Sequence, residues 1–515
     1  MKLGHRTINN AAFNVASGLL PIVVSYFLWP FILAKLGDAA YGIYAVVGAV
    51  MGYFALLDLG LGSAVVKFVA EYAGQKRPDR ISEVIGTAML VLLVGGLLGG
   101  AAMLASAELL VTRVFRVPPE LHDPACLAFR IGGAGFLFTM LLTLFAAIPN
   151  GLNRYDVGSV TGAVMGVATT VGTAIILFLG HGLVAVIGFN VVLTAATILV
   201  YAVIVKRLAP ELHFRPVWSR PMLKDVLGFG LFKLLGRVTD VAVRQLSLLL
   251  IGVLLGVSSV TYYAVPYGLV NRLTIMILRL AIVIFPAVSE LQGQRRRDKI
   301  VDLYLTTTRL VLALATALCL PLLVFGQRLL ELWVGPAFAD KAGHVMFFIT
   351  LGVYLDTCTN VPTFVADGMG RPRVSGVAAA SHAALFLLLL VPLAHTWGIN
   401  GAALAFLACP VCIAPAFVWY VNSRVVGLST RQLLLQSYLP PLWTGALMAA
   451  PLLLLPQQRI GNQYLLLFVM GSSALLYLAL GFFTNVFSGR DREMILSYAR
   501  HVWDRVSRRD GGARG

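Results

Sequence analysis

Residues 231–290, LFKLLGRVTDVAVRQLSLLLIGVLLGVSSVTYYAVPYGLVNRLTIMILRLAIVIFPAVSE, decide how this chain folds. They predict two long apolar helices joined by a short turn at residues 256–259. Ionisable side chains recur inside both helices, although each costs about 2.5–3.5 kcal/mol at the centre of a membrane span. Because such groups avoid lipid, we expect them to face a protein interior or a water-filled cavity.

The charges fall on one face of each predicted helix. In the first helix they follow the spacing i, i+4, i+7 and i+11, and in the second the successive gaps are seven and eleven residues. Two facing, mostly cationic stripes at membrane depth predict a binding site for an anion. Guanidinium groups suit phosphate, because they stay charged and can bind it through two parallel hydrogen bonds. The residues are Lys233, Arg237, Asp240 and Arg244, then Arg272, Arg279 and Glu290.

Structural pairing is the alternative interpretation of these charges. Asp240 lies three residues after Arg237 and four before Arg244, so it can neutralise part of the first stripe. Three cations against one acid still leave that helix positive. Arg272 and Arg279 have no acid three or four residues away, which favours a cationic cavity over pure pairing.

The composition indicates a polytopic membrane protein. Of 515 residues, 59% are hydrophobic and only 12% are charged, and the mean hydropathy is +0.85. The net charge of +17 would indicate a nucleic-acid partner in a soluble chain, but cytoplasmic loops of membrane proteins are rich in Lys and Arg, so none is expected. The CPVC sequence at residues 409–412 lacks a second pair of ligands and a polar setting, so we expect neither a metal site nor a cofactor.

Apolar runs of about 20 residues, the length that spans a membrane, recur along the whole chain. An even number of spans places both termini on one side. With a cytoplasmic N-terminus, the cytoplasmic segments hold 26 Lys and Arg and the outer loops hold six, which orients both termini to the cytoplasm. The fourteen predicted spans lie near residues 10–35, 41–72, 83–112, 125–149, 157–179, 183–205, 226–256, 260–290, 301–326, 342–367, 375–396, 400–423, 434–456 and 463–487.

The outer loops are short, and the longest cover about residues 113–124 and 327–341. Membrane enzymes that assemble sugar polymers usually carry their catalytic residues on a large outer loop. The absence of such a loop argues against an enzyme, and we expect no catalytic residue.

An internal repeat runs through the chain. Residues 70–81, AEYAGQKRPDRI, align with residues 289–300, SELQGQRRRDKI, at an offset of 219 with six identities. The pattern G-x-x-R-x-x-V at residue 151 recurs at residue 368, an offset of 217. Since the repeated unit holds six spans, we expect two parallel halves about an axis along the membrane normal, with the substrate path between them. The predicted parts are a first half at 1–210, a second half at 211–425, two additional spans at 426–488 and a basic amphipathic cytoplasmic tail at 489–515.

Other polar and small residues inside the spans have more than one interpretation. Asp58 could relay a proton or sodium ion, or be held by nearby backbone, and Arg130 could line the cavity or extend to the membrane surface. We expect His382 to be packed or interfacial rather than proton-carrying. Small-xxx-small spacing within residues 95–100 predicts close helix packing, and prolines such as Pro286 predict kinks.

Four short motifs carry a family resemblance: LG at residues 36–37, YG at 41–42, DLGLGSA at 58–64 and AEY at 70–72. Together with the fourteen-span layout, they make the chain resemble the polysaccharide exporters, or lipid-linked oligosaccharide flippases of the O-antigen type, in the multidrug/oligosaccharidyl-lipid/polysaccharide exporter superfamily. The resemblance implies an inner-membrane protein that moves undecaprenyl-pyrophosphate-linked oligosaccharide to the outer leaflet by alternating access. Membrane lipids, a polysaccharide polymerase and other assembly proteins are the implied partners.

Two other functions remain open at this point. A multidrug or small-solute antiporter of the same superfamily typically has twelve spans and acid-dominated cation sites, whereas this site is dominated by arginine. A membrane enzyme of polysaccharide assembly is opposed by the short outer loops.

The repeat also predicts an asymmetric cavity. Extending the offset of 219 pairs each of the six predicted substrate-binding residues with an uncharged residue of the first half. We therefore expect a cationic wall from the second half, and a neutral wall from the first half that packs against lipid or sugar. The partners of Lys233, Arg237, Asp240, Arg244, Arg272 and Arg279 are Asn14, Gly18, Pro21, Ser25, Tyr53 and Gly60.

Overall fold

Helices make up most of the chain that the structure describes, and no strand occurs there. The structure, a computed structural model, describes residues 2–282, 284–484, 486, 487 and 489. For residues 2–19, 231–240, 242–244 and 459 it describes the backbone alone. The predicted amphipathic tail at 489–515 lies outside the described residues beyond Gly489. The prediction of an all-α chain is confirmed.

The helices form two compact units. The first is drawn from Met1–Val265 and Phe386–Ala402, and the second from Pro266–Leu385 and Ala403–Gly515. The helices are α1 (Lys2–Phe54), α2 (Leu61–Gly74), α3 (Pro78–Leu109), α4 (His122–Gly151), α5 (Tyr155–Phe178), α6 (Leu183–Leu208), α7 (Arg220–Leu255), α8 (Val257–Ala281), α9 (Ile284–Gly293), α10 (Arg297–Trp333), α11 (Pro336–Gly368), α12 (Pro372–Tyr420), α13 (Thr430–Leu433), α14 (Leu439–Leu454) and α15 (Gln463–Gly481).

Ten helical segments in the described chain are long and apolar enough to cross a membrane. The two longest, Leu20–Asp58 with 39 residues and Pro372–Val426 with 55, are each about twice as long as a single span of about 20 residues, or longer. Both contain a break where a loop between spans was predicted: Gly37 has φ 75° in α1, and Gly398 has φ 57° in α12. The multi-pass membrane architecture is confirmed, while the number of fourteen spans stays a prediction.

The predicted span at 41–72 is interrupted, which corrects the sequence prediction. A short 3-10 turn occupies Ala55–Asp58, and α2 begins only at Leu61. Leu59 and Gly60 both have positive φ, 51° and 73°, which ends the helical path. Only glycine fits at residue 60, because a Cβ there would lie 2.2 Å from the carbonyl oxygen of Gly230 in α7.

The predicted helix at 260–290 is also divided. Its first part, α8, begins at Val257, so the turn before it is Gly256 (φ 85°) rather than residues 256–259. It ends at Ala281, and α9 begins at Ile284. Pro286 explains the break, because its ring clashes with the carbonyl four residues earlier and removes a helical donor. Glu290 therefore lies on α9 and does not continue the stripe of α8.

Helices α3 and α4 pack backbone to backbone through glycine. A Cβ on Gly100 would lie 2.6 Å from the carbonyl oxygen of Gly133, and a Cβ on Gly133 would lie 3.0 Å from that of Gly100. This contact confirms the close packing predicted from the glycine spacing in residues 95–100. It also fixes α4, which forms one wall of the cavities described below.

Candidate substrate-binding site

Helix α7 carries the first predicted cationic stripe. It begins after Ser219, whose Oγ accepts the N–H of Met222 at 3.5 Å, and it is continuous to Leu255. A continuous helix places residues spaced i, i+4, i+7 and i+11 on one face, over about 16 Å of rise. The stripe residues Lys233, Arg237, Asp240 and Arg244 all lie on this helix, and their side chains lie outside the described residues.

Helix α8 carries the second stripe. Arg272 and Arg279 lie seven residues apart on it, about two helical turns, and so share a face. Arg272 is half-buried and Arg279 is exposed. The structure thus brings four predicted residues together on α7 and two on α8. Their role in binding stays a prediction.

Asp58 and Arg130 were the two other predicted site residues. Asp58 is buried, with 1% of its surface exposed, at the end of the 3-10 turn that interrupts the second predicted span. Its Oδ1 accepts the N–H of Gly60 at 2.9 Å, which stabilises the turn. This geometry matches the interpretation in which nearby backbone holds the carboxylate. Arg130 lies on α4 and is exposed.

Sequence reasoning missed two neutral polar stripes in the first unit. On α5, residues at intervals of four include Thr161, Thr169 and Thr173. On α6, four polar residues follow the spacing i, i+4, i+7 and i+11, the same as the charged stripe of α7. This periodicity was the available signal, and it went unnoticed because the side chains are uncharged. The α6 residues are Asn190, Thr194, Thr197 and Tyr201.

The neutral stripes line three adjoining cavities. One of about 270 Å³ lies between α4, α5 and α6, one of about 210 Å³ between α1, α4 and α6, and one of about 60 Å³ between α1, α5 and α6. Asn190 and Thr194 line the first two, Tyr44 the last two, and Thr169 the first and third. No acid, base or histidine occurs among the described residues that line them.

The hydroxyl groups of these stripes donate within their own helices. Thr194 donates to the carbonyl of Asn190 at 2.8 Å, Thr197 to that of Leu193 at 2.7 Å, and the amide of Asn190 to that of Val186 at 3.0 Å. A threonine that has used its hydrogen still offers oxygen lone pairs. The oxygens of Thr194 and Thr197 are therefore available to the cavities as hydrogen-bond acceptors.

The second unit contains an ionisable pair that sequence reasoning did not assemble. Nδ1 of His382 on α12 lies 3.8 Å from Oδ1 of Asp356 on α11. The His382 side chain is 19% exposed and that of Asp356 is 42% exposed. Asp356 was overlooked, although an acid inside an apolar helix was signal enough to single it out.

Apolar helices in this number define a polytopic membrane protein. Residues 7–292 match the family described as polysaccharide biosynthesis protein, and the chain belongs to that family. It is 19% identical over 405 residues to a putative O-antigen transporter of Shigella flexneri, a match that covers 78% of this chain and 94% of that protein. The predicted family resemblance is confirmed.

Two solved structures share the fold. One is an inward-facing multidrug resistance MATE family transporter of the MOP superfamily, with a TM-score of 0.68, 16% identity, and coverage of 79% of this chain and 98% of that one. The other is the lipid II flippase MurJ in an inward closed conformation, with a TM-score of 0.67, 13% identity, and coverage of 92% and 98%. The fold is therefore that of the MATE and MurJ transporters.

Proposed function

We propose that this protein flips an oligosaccharide linked to undecaprenyl pyrophosphate across the cytoplasmic membrane by alternating access. The observation that carries the proposal is the charge of α7, three cations against one acid on one face of an apolar helix. Membership of the polysaccharide biosynthesis family supports the proposal, as does the shared fold with a lipid II flippase.

The chemistry of the substrate matches that stripe. A pyrophosphate carries several negative charges and must leave water to cross the membrane, so it needs fixed cations along its route. Arg237 and Arg244 on α7, with Arg272 and Arg279 on α8, would hold it through bidentate charge-assisted hydrogen bonds. Lys233 would add a point charge, and Asp240 would orient its arginine neighbours.

The orientation of the chain is part of the proposal. The excess of Lys and Arg on one set of loops, 26 against six, supports cytoplasmic termini in the bacterial inner membrane. The lipid-linked sugar would enter from the cytoplasmic leaflet, where it is assembled, and leave on the outer leaflet. A polymerase and other assembly proteins would then receive it.

An antiporter of small cations or drugs is the second candidate, because a MATE transporter shares the fold. Charge distinguishes the two, because a cation antiporter needs acids at its site, whereas the site proposed for this chain is dominated by arginine.

The test is flipping by the purified full-length protein in vesicles loaded with lipid-linked oligosaccharide, with exposure of the sugar measured by an added glycosidase. The protein should accelerate exposure, and Arg244→Ala/Arg272→Ala/Arg279→Ala should abolish the acceleration. Normal flipping by this triple variant would refute the role of the stripes. Drug or cation transport without flipping would favour the antiporter.

A further inference from the structure

We propose that the three adjoining cavities of the first unit bind an uncharged sugar residue of the transported oligosaccharide. This inference rests on the proposed function and gives it a second, separate binding site. The cavities lie along the α5 face from Thr161 to Thr173, about 18 Å of helix. They therefore form an elongated, largely apolar space that carries a line of neutral polar groups.

Charge decides which end of the substrate fits. Among the described residues that line the cavities, none is ionisable at neutral pH. A pyrophosphate there would lose its hydration without gaining a cation, which is strongly unfavourable. A sugar ring carries no charge, and its hydroxyl groups need only hydrogen-bond partners. The sugar thus suits the neutral stripes, and the pyrophosphate suits the arginines.

The hydrogen-bonding capacity of the lining is complementary to a sugar. Thr194 and Thr197 each donate their hydroxyl hydrogen to a carbonyl of α6, so their oxygens remain as acceptors. Asn190 donates one of its two amide hydrogens to the carbonyl of Val186. Thr170 on α5, which lines the smallest cavity, donates to the carbonyl of Gly166 at 3.0 Å. A sugar supplies the hydroxyl donors that such acceptors lack.

Aromatic rings supply the apolar surface that the C–H faces of a sugar require. Trp29, Tyr41 and Tyr44 line the smallest cavity. Trp29 and Tyr41 meet edge to face with ring centroids 6.4 Å apart, and those of Tyr41 and Tyr44 lie 6.0 Å apart. Rings of this kind combine an apolar body with a polar tip. Rigid aromatic walls beside neutral hydrogen-bonding groups form a pocket for a ring that is polar at its edge and apolar on its faces.

The test measures the thermal unfolding midpoint of the full-length protein in lipid nanodiscs. The probes are neutral sugars (glucose, galactose and N-acetylglucosamine), and separately inorganic pyrophosphate and sodium or potassium chloride. A ligand that binds only the folded state raises the midpoint. The variants are Thr194→Val, which keeps the shape and removes the hydroxyl, and Asn190→Leu. The control is Thr350→Val, a buried threonine of α11 that also donates within its helix.

At least one sugar should raise the midpoint of the wild type. Thr194→Val and Asn190→Leu should bind that sugar at least fivefold more weakly, whereas Thr350→Val should bind it as the wild type does. All three variants should respond to pyrophosphate as the wild type does. No response of the wild type to any sugar, or an undiminished response in Thr194→Val, would overturn the inference. So would a response to sodium or potassium ions that Thr194→Val abolishes, since the cavities would then bind a cation.

Failure of this inference is distinguishable from failure of the proposed function. Flipping that persists in the vesicle assay without any sugar response would refute the neutral site and leave the flippase standing. Sugar binding through Asn190 and Thr194 by a protein that flips nothing would refute the flippase alone.

Discussion

Lys76 and Arg295, which lie 219 residues apart in the sequence, adopt the same left-handed backbone conformation with φ 56°. The residue after each closes an equivalent turn: Arg77 donates its N–H to the carbonyl of Tyr72, and Arg296 to that of Leu291, both at 3.0 Å. Positive φ is uncommon outside glycine because Cβ crowds the backbone. Its recurrence at matched positions supports the duplication predicted from sequence, although the parallel arrangement of the halves stays a prediction.

The first prediction concerns this pair. Lys76→Gly and Arg295→Gly should each raise the unfolding midpoint slightly, because relief of about 1–2 kcal/mol of left-handed strain exceeds the backbone entropy cost of glycine, about 0.5–1 kcal/mol. Gln75→Gly is the control, since Gln75 has an ordinary φ of −82° and should only lose stability. Thermal unfolding in detergent measures all three. If Lys76→Gly and Arg295→Gly changed the unfolding midpoint in opposite directions, the environments of the two positions would differ.

The second prediction concerns the contact between Gly60 and Gly230. Gly230→Ala should destabilise the first unit by about 1–3 kcal/mol, because its Cβ would lie 2.5 Å from the carbonyl oxygen of Leu59. Gly60→Ala should cost more, since it adds strain at positive φ to a clash with Gly230.

Gly188→Ala is the matched control for this contact. Gly188 lies inside α6 with open space around its Cβ position, so alanine should be neutral or stabilising by up to about 1 kcal/mol. Equal effects of Gly230→Ala and Gly188→Ala on the unfolding midpoint would show that the α2–α7 contact is looser than described.

The third prediction separates the two interpretations of Asp58. Asn keeps the oxygen that accepts the N–H of Gly60, so Asp58→Asn should retain most of the stability and flipping. Asp58→Ala removes the acceptor and should cost about 1–3 kcal/mol, because it leaves a buried N–H unsatisfied. Protein level, unfolding midpoint and flipping rate are measured together. A well-folded Asp58→Asn that no longer flips would instead identify Asp58 as a coupling group.

The positions of the helices were predictable because they depend on local pattern. The spans were predicted from apolar runs of membrane length and from the excess of Lys and Arg on one set of loops. Gly37 and Gly398 mark breaks at positions where loops were expected. The cationic stripe of α7 was visible for the same reason, since charge in an apolar helix stands out.

The interrupted helices and the neutral cavities depend on contacts between helices that are distant in the sequence, and a local sequence pattern does not reveal such contacts. Glycine is required at residue 60 of the Asp58–Gly60 turn because the backbone of Gly230, on another helix, leaves no room for a Cβ. The threonines of α5 and the polar face of α6 become a lining only when α1 and α4 pack beside them. Threonine is common inside membrane helices, where it bonds to its own backbone, so it gave no warning of a cavity.

The last prediction concerns the arginines. Arg244→Ala, Arg272→Ala and Arg279→Ala should each reduce export at normal protein levels, because loss of one charge-assisted phosphate contact costs about 1.5–3 kcal/mol, or roughly ten- to a hundredfold in affinity. Lysine at the same positions should retain part of the activity, since the charge survives while the planar fork is lost. Export is measured by complementation of a strain that lacks its own flippase, with membrane levels checked by blotting.

The controls for the arginines are Asn14→Ala and Ser25→Ala, which lie at the positions that the 219-residue offset pairs with Lys233 and Arg244. Ser25 donates to the carbonyl of Pro21 at 2.6 Å on its own helix, so its loss should be mild. If Ser25→Ala reduced export as strongly as Arg244→Ala, the division into a cationic and a neutral wall would be wrong. If lysine and alanine at Arg244 were equally inactive, bidentate geometry rather than charge would hold the pyrophosphate.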